Sequence, residues 1–369
     1  MICKILLFSL MSFLTGADSA TNKQSAELLF VGDAMQHQAQ LDRAKEVGTG
    51  GQYDYSDCFT LIAPEITAAD YAVCNLEVPL GGGPDYSGYP CFSAPDSYAQ
   101  ALKDAGFDLF LTANNHCLDR RDKAARRTIQ ALDSLQLDQI GTFLSTADRE
   151  NKVPFIKNIN GFKVGFLNYT YGTNGIPPQG NIEVAMIDRK VMADEIKKTR
   201  EAGAEIIVVL PHWGIEYVLL PNKSQQDLVD FLVDQGVDLI IGGHPHVIQP
   251  MEIRHNTKEN KDVLVVYSLG NFISNMKTAD TRGGALVRAY LTRDEQGKAK
   301  LSHDNYDILF SAEPGAGKSN FKIYPANKAS LIPANQQQHW ELFKRGALKV
   351  FDAHNKGVTQ KSIDATGKK

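Results

Sequence analysis

The stretch Ile240-Ile-Gly-Gly-His-Pro-His-Val-Ile-Gln-Pro250 joins the end of an apolar run to two glycines and then to two histidines one residue apart. A short run rich in Ile and Val that ends in glycine is typical of a buried strand in a parallel sheet. If the chain is extended here, His244 and His246 point to the same side, with Pro245 fixing the backbone between them. The glycines allow the backbone to approach a ligand closely. The stretch therefore predicts a buried strand that ends at a functional site.

Similar apolar runs occur along much of the chain, and each is followed by polar residues. They cover residues 28–31, 71–74, 107–111, 164–167, 206–210, 237–241 and 263–267. Segments with a helical pattern lie between several of these runs, at residues 119–135, 188–202 and 224–235. Alternating strands and helices predict a layered α/β fold in which sheets pack between helices.

The C-terminal part of the chain has a different pattern. Residues 284–291 and 306–310 look like strands with no helix between them, which predicts a second layer of sheet near the C-terminus. Residues 340–354 have the spacing of an amphipathic helix, and the residues after them are polar. We therefore expect a large domain over residues 21–325, followed by a C-terminal helix and polar tail over residues 326–369.

Composition and charge exclude several classes of protein. The chain has 369 residues, of which 43% are hydrophobic and 22% are charged, and its formal net charge is −4. This is the composition of a soluble globular protein. No run of Lys and Arg stands out, so the sequence does not predict a nucleic-acid partner.

The N-terminus has the features of a signal peptide. Met1-Ile-Cys-Lys4 precedes the apolar residues 5–14, and small residues follow up to Ala20. This pattern predicts cleavage of residues 1–20 and an exported protein, periplasmic or extracellular, with a buried first helix as the alternative. The apolar segment is too short for a comfortable transmembrane helix, so no stable membrane span is expected after cleavage. In an oxidising compartment, three disulfide pairings or free thiols remain open for Cys58, Cys74, Cys91 and Cys117.

Polar side chains that can bind metals follow several of the predicted strands. In open α/β sheets, ligands bind beyond the carboxyl ends of the strands. This edge would hold Asp33, Glu77, Asn115, His116, His212, His244 and His246. Carboxylate, amide and imidazole groups together are ligands for Zn²⁺, Mn²⁺ or Fe, and they do not form a thiolate site.

Six short motifs occur in a characteristic order. They are Gly32-Asp33 followed by Met35, Asn75-Leu-Glu77, Ala113-Asn-Asn-His116, His212-Trp-Gly-Ile-Glu216, Gly243-His-Pro-His246 and Ser268-Leu-Gly-Asn-Phe272. Together they resemble the CapA family of capsule or poly-γ-glutamate synthesis proteins, which is itself similar to the calcineurin-like metallophosphoesterases. The resemblance covers roughly residues 27–275 and implies a layered, metallophosphoesterase-like α/β fold.

The resemblance also implies a site for two divalent ions, which could be Mn, Fe or Zn. Asp33 and, less securely, His37 would bind the first ion, and Asn115 the second. Glu77 stands where phosphoesterases have a bridging Asp, and its greater length puts the bridge in doubt. The shell would be completed by His212, His244 and His246. Supporting or substrate-contacting roles fall to Asn75, Arg120, Glu216 and Asn271, and Glu216 could also be a ligand.

His116 follows the proposed ligand Asn115 directly, and its side chain would face the substrate. An imidazole titrates near neutral pH, so His116 suits the role of general acid for a leaving alkoxide. The alternative is a structural role as a cap on the helix that starts near Asp119.

These residues predict an exported metal-dependent hydrolase that acts on a small or polymeric compound of the cell envelope. Phosphate-ester hydrolysis is the reaction most natural to two metal ions. The alternatives are amide-bond chemistry on a poly-γ-glutamate-like polymer, and a non-catalytic capsule-assembly factor that retains the metal fold. Glu77 in place of Asp counts against a phosphatase, and the complete set of ligand types counts against a non-catalytic role. The sequence leaves the oligomeric state open.

Overall fold

The computed structural model describes residues 24–315, 317 and 319–358. The predicted signal peptide, residues 1–20, lies outside them, as does the end of the polar tail. The strands are β1 (Ser25–Ala34), β2 (Tyr71–Leu76), β3 (Leu109–Leu111), β4 (Asp138–Ile140), β5 (Thr142–Phe143), β6 (Phe155–Ile159), β7 (Phe162–Thr170), β8 (Glu183–Val184), β9 (Ile206–His212), β10 (Leu239–Ile241), β11 (Met251–Asn256), β12 (Lys261–Val266), β13 (Asn271–Ile273), β14 (Gly283–Arg293), β15 (Ala299–Ala312) and β16 (Lys322–Pro325). The α-helices are α1 (Gln38–Val47), α2 (Ala63–Thr67), α3 (Asp96–Asp104), α4 (Arg121–Ser134), α5 (Thr146–Lys152), α6 (Arg189–Glu201), α7 (Lys223–Asp234) and α8 (Gln337–His354). Short 3-10 helices occupy Ala279–Thr281, Ala326–Leu331 and Ala334–Gln336.

The described strands form two large sheets and one small pair. The first sheet has the order β16-β15-β14-β1-β2-β3-β4, with β13 beside the end of β1, and the second has the order β11-β12-β10-β9-β7-β6. Strands β1 to β4 are parallel to one another, and so are β7, β9, β10 and β12 in the centre of the second sheet. The small pair is β5 with β8.

The two large sheets pack face to face, and helices cover their outer faces. Leu28 and Phe30 of β1 lie in one core with Phe166 and Val208 of the second sheet. The alternate residues of β1 lie in a second core with residues of α1, α2 and α3, because successive side chains of a strand point to opposite faces. A third core joins the second sheet to α6 and α7. The predicted layered α/β fold, with sheets packed between helices, is confirmed.

The prediction that the C-terminal strands form a second layer of sheet is wrong. Strands β14 and β15 belong to the first sheet, where β14 pairs antiparallel with Ser25–Val31 of β1. The second layer comes instead from the middle of the chain. Strand β2 pairs with one edge of β1. Strand β14 pairs with the other edge, whose backbone N–H and C=O groups would otherwise be unpaired. Helix α8 then packs on β15 through Trp340 and Phe343, whose rings lie 5.8 and 6.2 Å from that of Phe310.

Two further expectations concern thiols and membrane spans. Cys58, Cys74, Cys91 and Cys117 are all free thiols, and all but Cys91 are buried. Among the helices of the described residues, none has both the length and the apolar character needed to cross a membrane.

Candidate metal centre

The carboxyl ends of β1, β2, β3, β9 and β10 converge on one cluster of metal-binding side chains. Three groups have ligand atoms that all lie within 4.8 Å of one another: Asp33 with Glu77 and His246, Glu77 with His212 and His244, and Glu216 with His244 and His246. Apart from Glu216, which is half-buried, all of these side chains are buried. The structure therefore brings together five of the predicted ligands. Glu216, for which the sequence left both a supporting role and a ligand role open, lies with them.

Glu77 lies between the first two groups. Its Oε1 atom is 3.5 Å from His212 Nε2 and 3.7 Å from His246 Nε2. This oxygen is buried and has no hydrogen-bond partner among the described residues, and the same is true of His244 Nδ1. Burying polar atoms without partners is costly, and a bound cation would satisfy both of them. The residues present thus fit a divalent metal ion.

Burial keeps two of the histidines neutral. It lowers the pKa of His212 to about 3, and together with the neighbouring His212 it lowers the pKa of His244 to about 2. Neutral imidazole is the form that binds metals. Asn115 Oδ1 lies 2.8 Å from His212 Nε2, so the amide oxygen and the imidazole nitrogen are in hydrogen-bond contact.

His246 is charged in the metal-free protein. Burial opposes its protonated form, but the Glu77 and Asp33 carboxylates outweigh burial and raise the pKa of His246 to about 9. Burial likewise opposes ionisation of Asp33, yet its hydrogen bond with His246 and the charge of that imidazole lower the pKa of Asp33 to about 2. A protonated His246 therefore balances the charge of Asp33, whereas burial and the neighbouring Asp33 raise the pKa of Glu77 well above its usual value. Asn271 Oδ1 lies 3.1 Å from His246 Nδ1 and helps to orient the ring.

Two asparagines hold the carboxylates in place. Asn75 Nδ2 donates to Asp33 Oδ1 at 2.8 Å and lies 3.3 Å from Glu77 Oε2. Asn114 Nδ2 in turn donates to Asn75 Oδ1 at 3.2 Å and to the Leu76 carbonyl at 2.9 Å. Asn75 has the supporting position predicted from the sequence, whereas Asn114 was not singled out there.

The remaining predicted residues lie at the edge of the cluster. His37 belongs to none of the three groups; it caps α1, and its Nδ1 is 3.3 Å from both Gln40 Oε1 and the Asn275 amide. Its role as a ligand stays a prediction. Arg120 donates to Ser87 Oγ at 2.6 Å. It is thereby tied to a loop near the site.

His116 has a partner that the sequence analysis missed. Its Nδ1 lies 2.8 Å from Asp119 Oδ2, and the same oxygen accepts a hydrogen bond from the Phe92 amide at 2.8 Å. Asp119 therefore favours the tautomer with the proton on Nδ1, which leaves Nε2 available for substrate. The alternative role of His116 as a helix cap is not seen, because the N-cap of α4 is Arg120. The spacing of Asp119, three residues after a candidate catalytic His, is the sequence signal that could have predicted this partner.

The backbone of the His-Pro-His turn differs from the expected extended chain. His244 and His246 have positive φ angles of 99° and 57°. Non-glycine residues rarely adopt this region, and such strain concentrates at functional sites. The two rings nevertheless face the same cluster, with centroids 5.9 Å apart.

The glycines before this turn allow the close approach that the sequence suggested. A Cβ atom on Gly243 would lie 2.8 Å from Asp33 Oδ1, and one on Gly242 would lie 2.2 Å from the Tyr267 carbonyl oxygen. We expect Gly242→Ala to lower the free energy of unfolding by about 1–3 kcal/mol, because the added Cβ would contact backbone that cannot move aside. Urea unfolding measures the change. Gly172→Ala is the matched control, since a Cβ there meets no atom within 4 Å; equal losses in both variants would contradict the prediction.

Known proteins resemble this chain over much of its length. Residues 27–276 match the family model described as bacterial capsule synthesis protein PGA_cap. The chain is 28% identical over 278 residues to the PGA biosynthesis protein CapA of Bacillus subtilis, covering 74% of this chain and 70% of that protein. It is 30% identical over 274 residues to the capsule biosynthesis protein CapA of Bacillus anthracis, covering 72% of this chain and 63% of that protein.

Two solved structures resemble the fold of this chain at low sequence identity. The NAD nucleotidase of Haemophilus influenzae has a TM-score of 0.48 and 10% identity, covering 93% of this chain and 58% of its own. The calcineurin-like phosphoesterase YfkN of Bacillus subtilis has a TM-score of 0.43 and 14% identity, covering 89% of this chain and 98% of its own. Structural similarities as low as these do not indicate the activity of this chain. The family match, in contrast, covers most of the chain, which belongs to the bacterial capsule synthesis protein family PGA_cap.

Proposed function

We propose that this protein is an exported, metal-dependent hydrolase that cleaves a phosphate ester in a capsule-related compound of the cell envelope. The observation that carries the proposal is the buried Glu77 Oε1, which lacks a hydrogen-bond partner and lies between two groups of histidine and carboxylate ligands. The names of the two Bacillus relatives support the link to capsule biosynthesis. Export rests on the N-terminal sequence, and N-terminal sequencing of the mature protein tests it.

The proposed site would hold two divalent ions, and Glu77 belongs to both groups of ligands. Asp33, Glu77 and His246 would hold one ion. The other would be held by Glu77, His212 and His244, together with the amide oxygen of Asn115. Bound divalent ions supply an activated water and stabilise negative charge on the phosphoryl oxygens.

Residues of the chain itself would protonate the leaving group. The doubly protonated ring of His116 donates its Nε2 proton to the departing alkoxide and becomes neutral, while Asp119 accepts the Nδ1–H hydrogen bond and holds the ring. Phe92 packs edge-on against His116, with centroids 4.7 Å apart, and limits rotation of the ring. The charge that develops on the imidazole when it takes up a new proton is balanced by the Asp119 carboxylate.

Amide-bond chemistry on a poly-γ-glutamate-like polymer is the second candidate. It is favoured by the name of the Bacillus subtilis relative, a PGA biosynthesis protein. The same ligand set would serve, because an activated water can attack a carbonyl carbon as well as a phosphorus atom. A protein that binds metal but hydrolyses no phosphate ester would favour this candidate, or a non-catalytic role in capsule assembly.

Metal content and turnover test the proposal together. We expect purified residues 21–369 to contain close to two Mn, Fe or Zn ions per chain, measured by elemental analysis, because two groups of ligands share Glu77. The same sample should hydrolyse p-nitrophenyl phosphate or bis(p-nitrophenyl) phosphate, and removal of metal by a chelator should abolish this activity. Absence of metal even after reconstitution with Mn²⁺ and Zn²⁺ would contradict the two-metal site.

A further inference from the structure

Glu216 places a negative charge on the open side of the metal centre. Its carboxylate lies within 4.8 Å of ligand atoms of His244 and His246, and it is the only half-buried member of the three ligand groups formed by the described residues. In the described part of the chain, no Lys or Arg forms an ion pair with the Glu216 carboxylate. A phosphoryl group that enters from this side meets the Glu216 carboxylate.

Residues 215–220, which connect β9 to α7, form an apolar rim beside Glu216. Ile215, Tyr217, Val218 and Leu220 are 54%, 55%, 40% and 45% exposed, which is unusual for neighbouring large apolar side chains. The rim is held in place, because the Tyr217 amide donates to the Pro245 carbonyl and Gln249 Nε2 to the Val218 carbonyl, both at 2.8 Å. Tyr217 also has a positive φ of 67°, a strained conformation that these contacts maintain.

We infer that Glu216 and this rim make the centre selective for phosphodiesters over phosphomonoesters. The inference rests on the proposed function and names the class of substrate. A phosphomonoester carries two negative charges near neutral pH and a phosphodiester carries one, so the Glu216 carboxylate repels the monoester about twice as strongly. A diester also has an organic group on each side of phosphorus. When one of them leaves, the other remains, and the apolar rim provides a surface for it.

Anion binding tests the charge selectivity without requiring turnover. Inorganic phosphate and dimethyl phosphate are titrated calorimetrically into the Mn²⁺-loaded protein and its Glu216→Gln variant, at a mildly alkaline pH where phosphate is mainly a dianion. Removing one charge about 6 Å from the anion in a water-like dielectric strengthens phosphate binding about tenfold and dimethyl phosphate binding about threefold. Glu341→Gln, an exposed site on α8, is the matched control and should change neither.

The outcomes separate this inference from the proposed function. Equal changes for both anions, or no change, would overturn the selectivity. A Glu216→Gln variant that loses bound Mn²⁺ would also overturn it, because the carboxylate would then be a metal ligand. Wild-type protein that binds no metal at all contradicts the proposed function itself, and the inference then falls with it. If turnover is present, the ratio of diester to monoester kcat/KM should fall about threefold in Glu216→Gln.

Discussion

His246→Ala is expected to lose metal and activity together. The imidazole belongs to two of the three ligand groups, and its Nε2 faces Glu77 Oε1 at 3.7 Å. Changing a residue that only orients a ligand costs about 10–100-fold in metal affinity, so removing a ligand should cost at least about 100-fold. Elemental analysis and Mn²⁺ titration measure the loss, and turnover should fall in the same samples.

The His246→Ala variant should also have a lower free energy of unfolding than the wild type when both proteins are free of metal. The charged His246 lies 3.4 Å from Asp33 Oδ2, and both side chains are buried. Removing one partner of a buried ion pair leaves an unbalanced charge, which costs about 3–5 kcal/mol. The matched control is His255→Ala on β11, whose ring is half-exposed and pairs with Asp262. A His246→Ala protein that keeps its full metal content would contradict the ligand assignment.

The length of Glu77 is less of an obstacle than the sequence suggested. A Glu in place of Asp adds one methylene, which raised doubt about a bridging position. In the structure, Oε1 approaches His212 and His246 to within 3.7 Å, while Asn75 Nδ2 lies 3.3 Å from Oε2. The longer side chain thus still reaches between the two groups. Asn75 holds its outer oxygen, so Oε1 remains the atom that would contact a metal.

The site could be predicted to the extent that it depends on the ends of strands. Asp33, Glu77 and His212 lie at or just beyond the ends of β1, β2 and β9, and short apolar runs reveal such strands locally. The carboxyl-end rule then brings these residues together without any knowledge of the loops. The layered fold follows from the same alternation of strands and helices.

Features that depend on long-range pairing or on turn geometry could not be predicted in this way. The pairing of β14 with β1 joins residues far apart in the chain, and no local pattern specifies it. The hydrogen bond between His116 and Asp119 requires a turn that brings residues three apart together. The positive φ angles of His244 and His246 are imposed by tertiary contacts, since intrinsic preference disfavours them.

The second large effect is expected for His116→Ala, which should keep its metal and lose turnover. His116 is absent from the three ligand groups, so metal content should remain close to that of the wild type. General acid catalysis contributes about 10²–10⁴-fold, and kcat should fall by this factor for an alkyl phosphate ester whose leaving group needs a proton. For a p-nitrophenyl ester the loss should be much smaller, because p-nitrophenolate leaves without protonation.

Asp119→Asn provides the matched comparison for this role. The amide can still contact His116 Nδ1, but it cannot balance the charge of a protonated ring, so kcat should fall less than in His116→Ala and show the same dependence on the leaving group. A structural role for the pair would instead lower turnover equally for good and poor leaving groups. If His116→Ala strips the metal, the residue is a ligand and the assignment as general acid is wrong. The leaving-group dependence, measured together with metal content, therefore distinguishes proton donation from both alternatives.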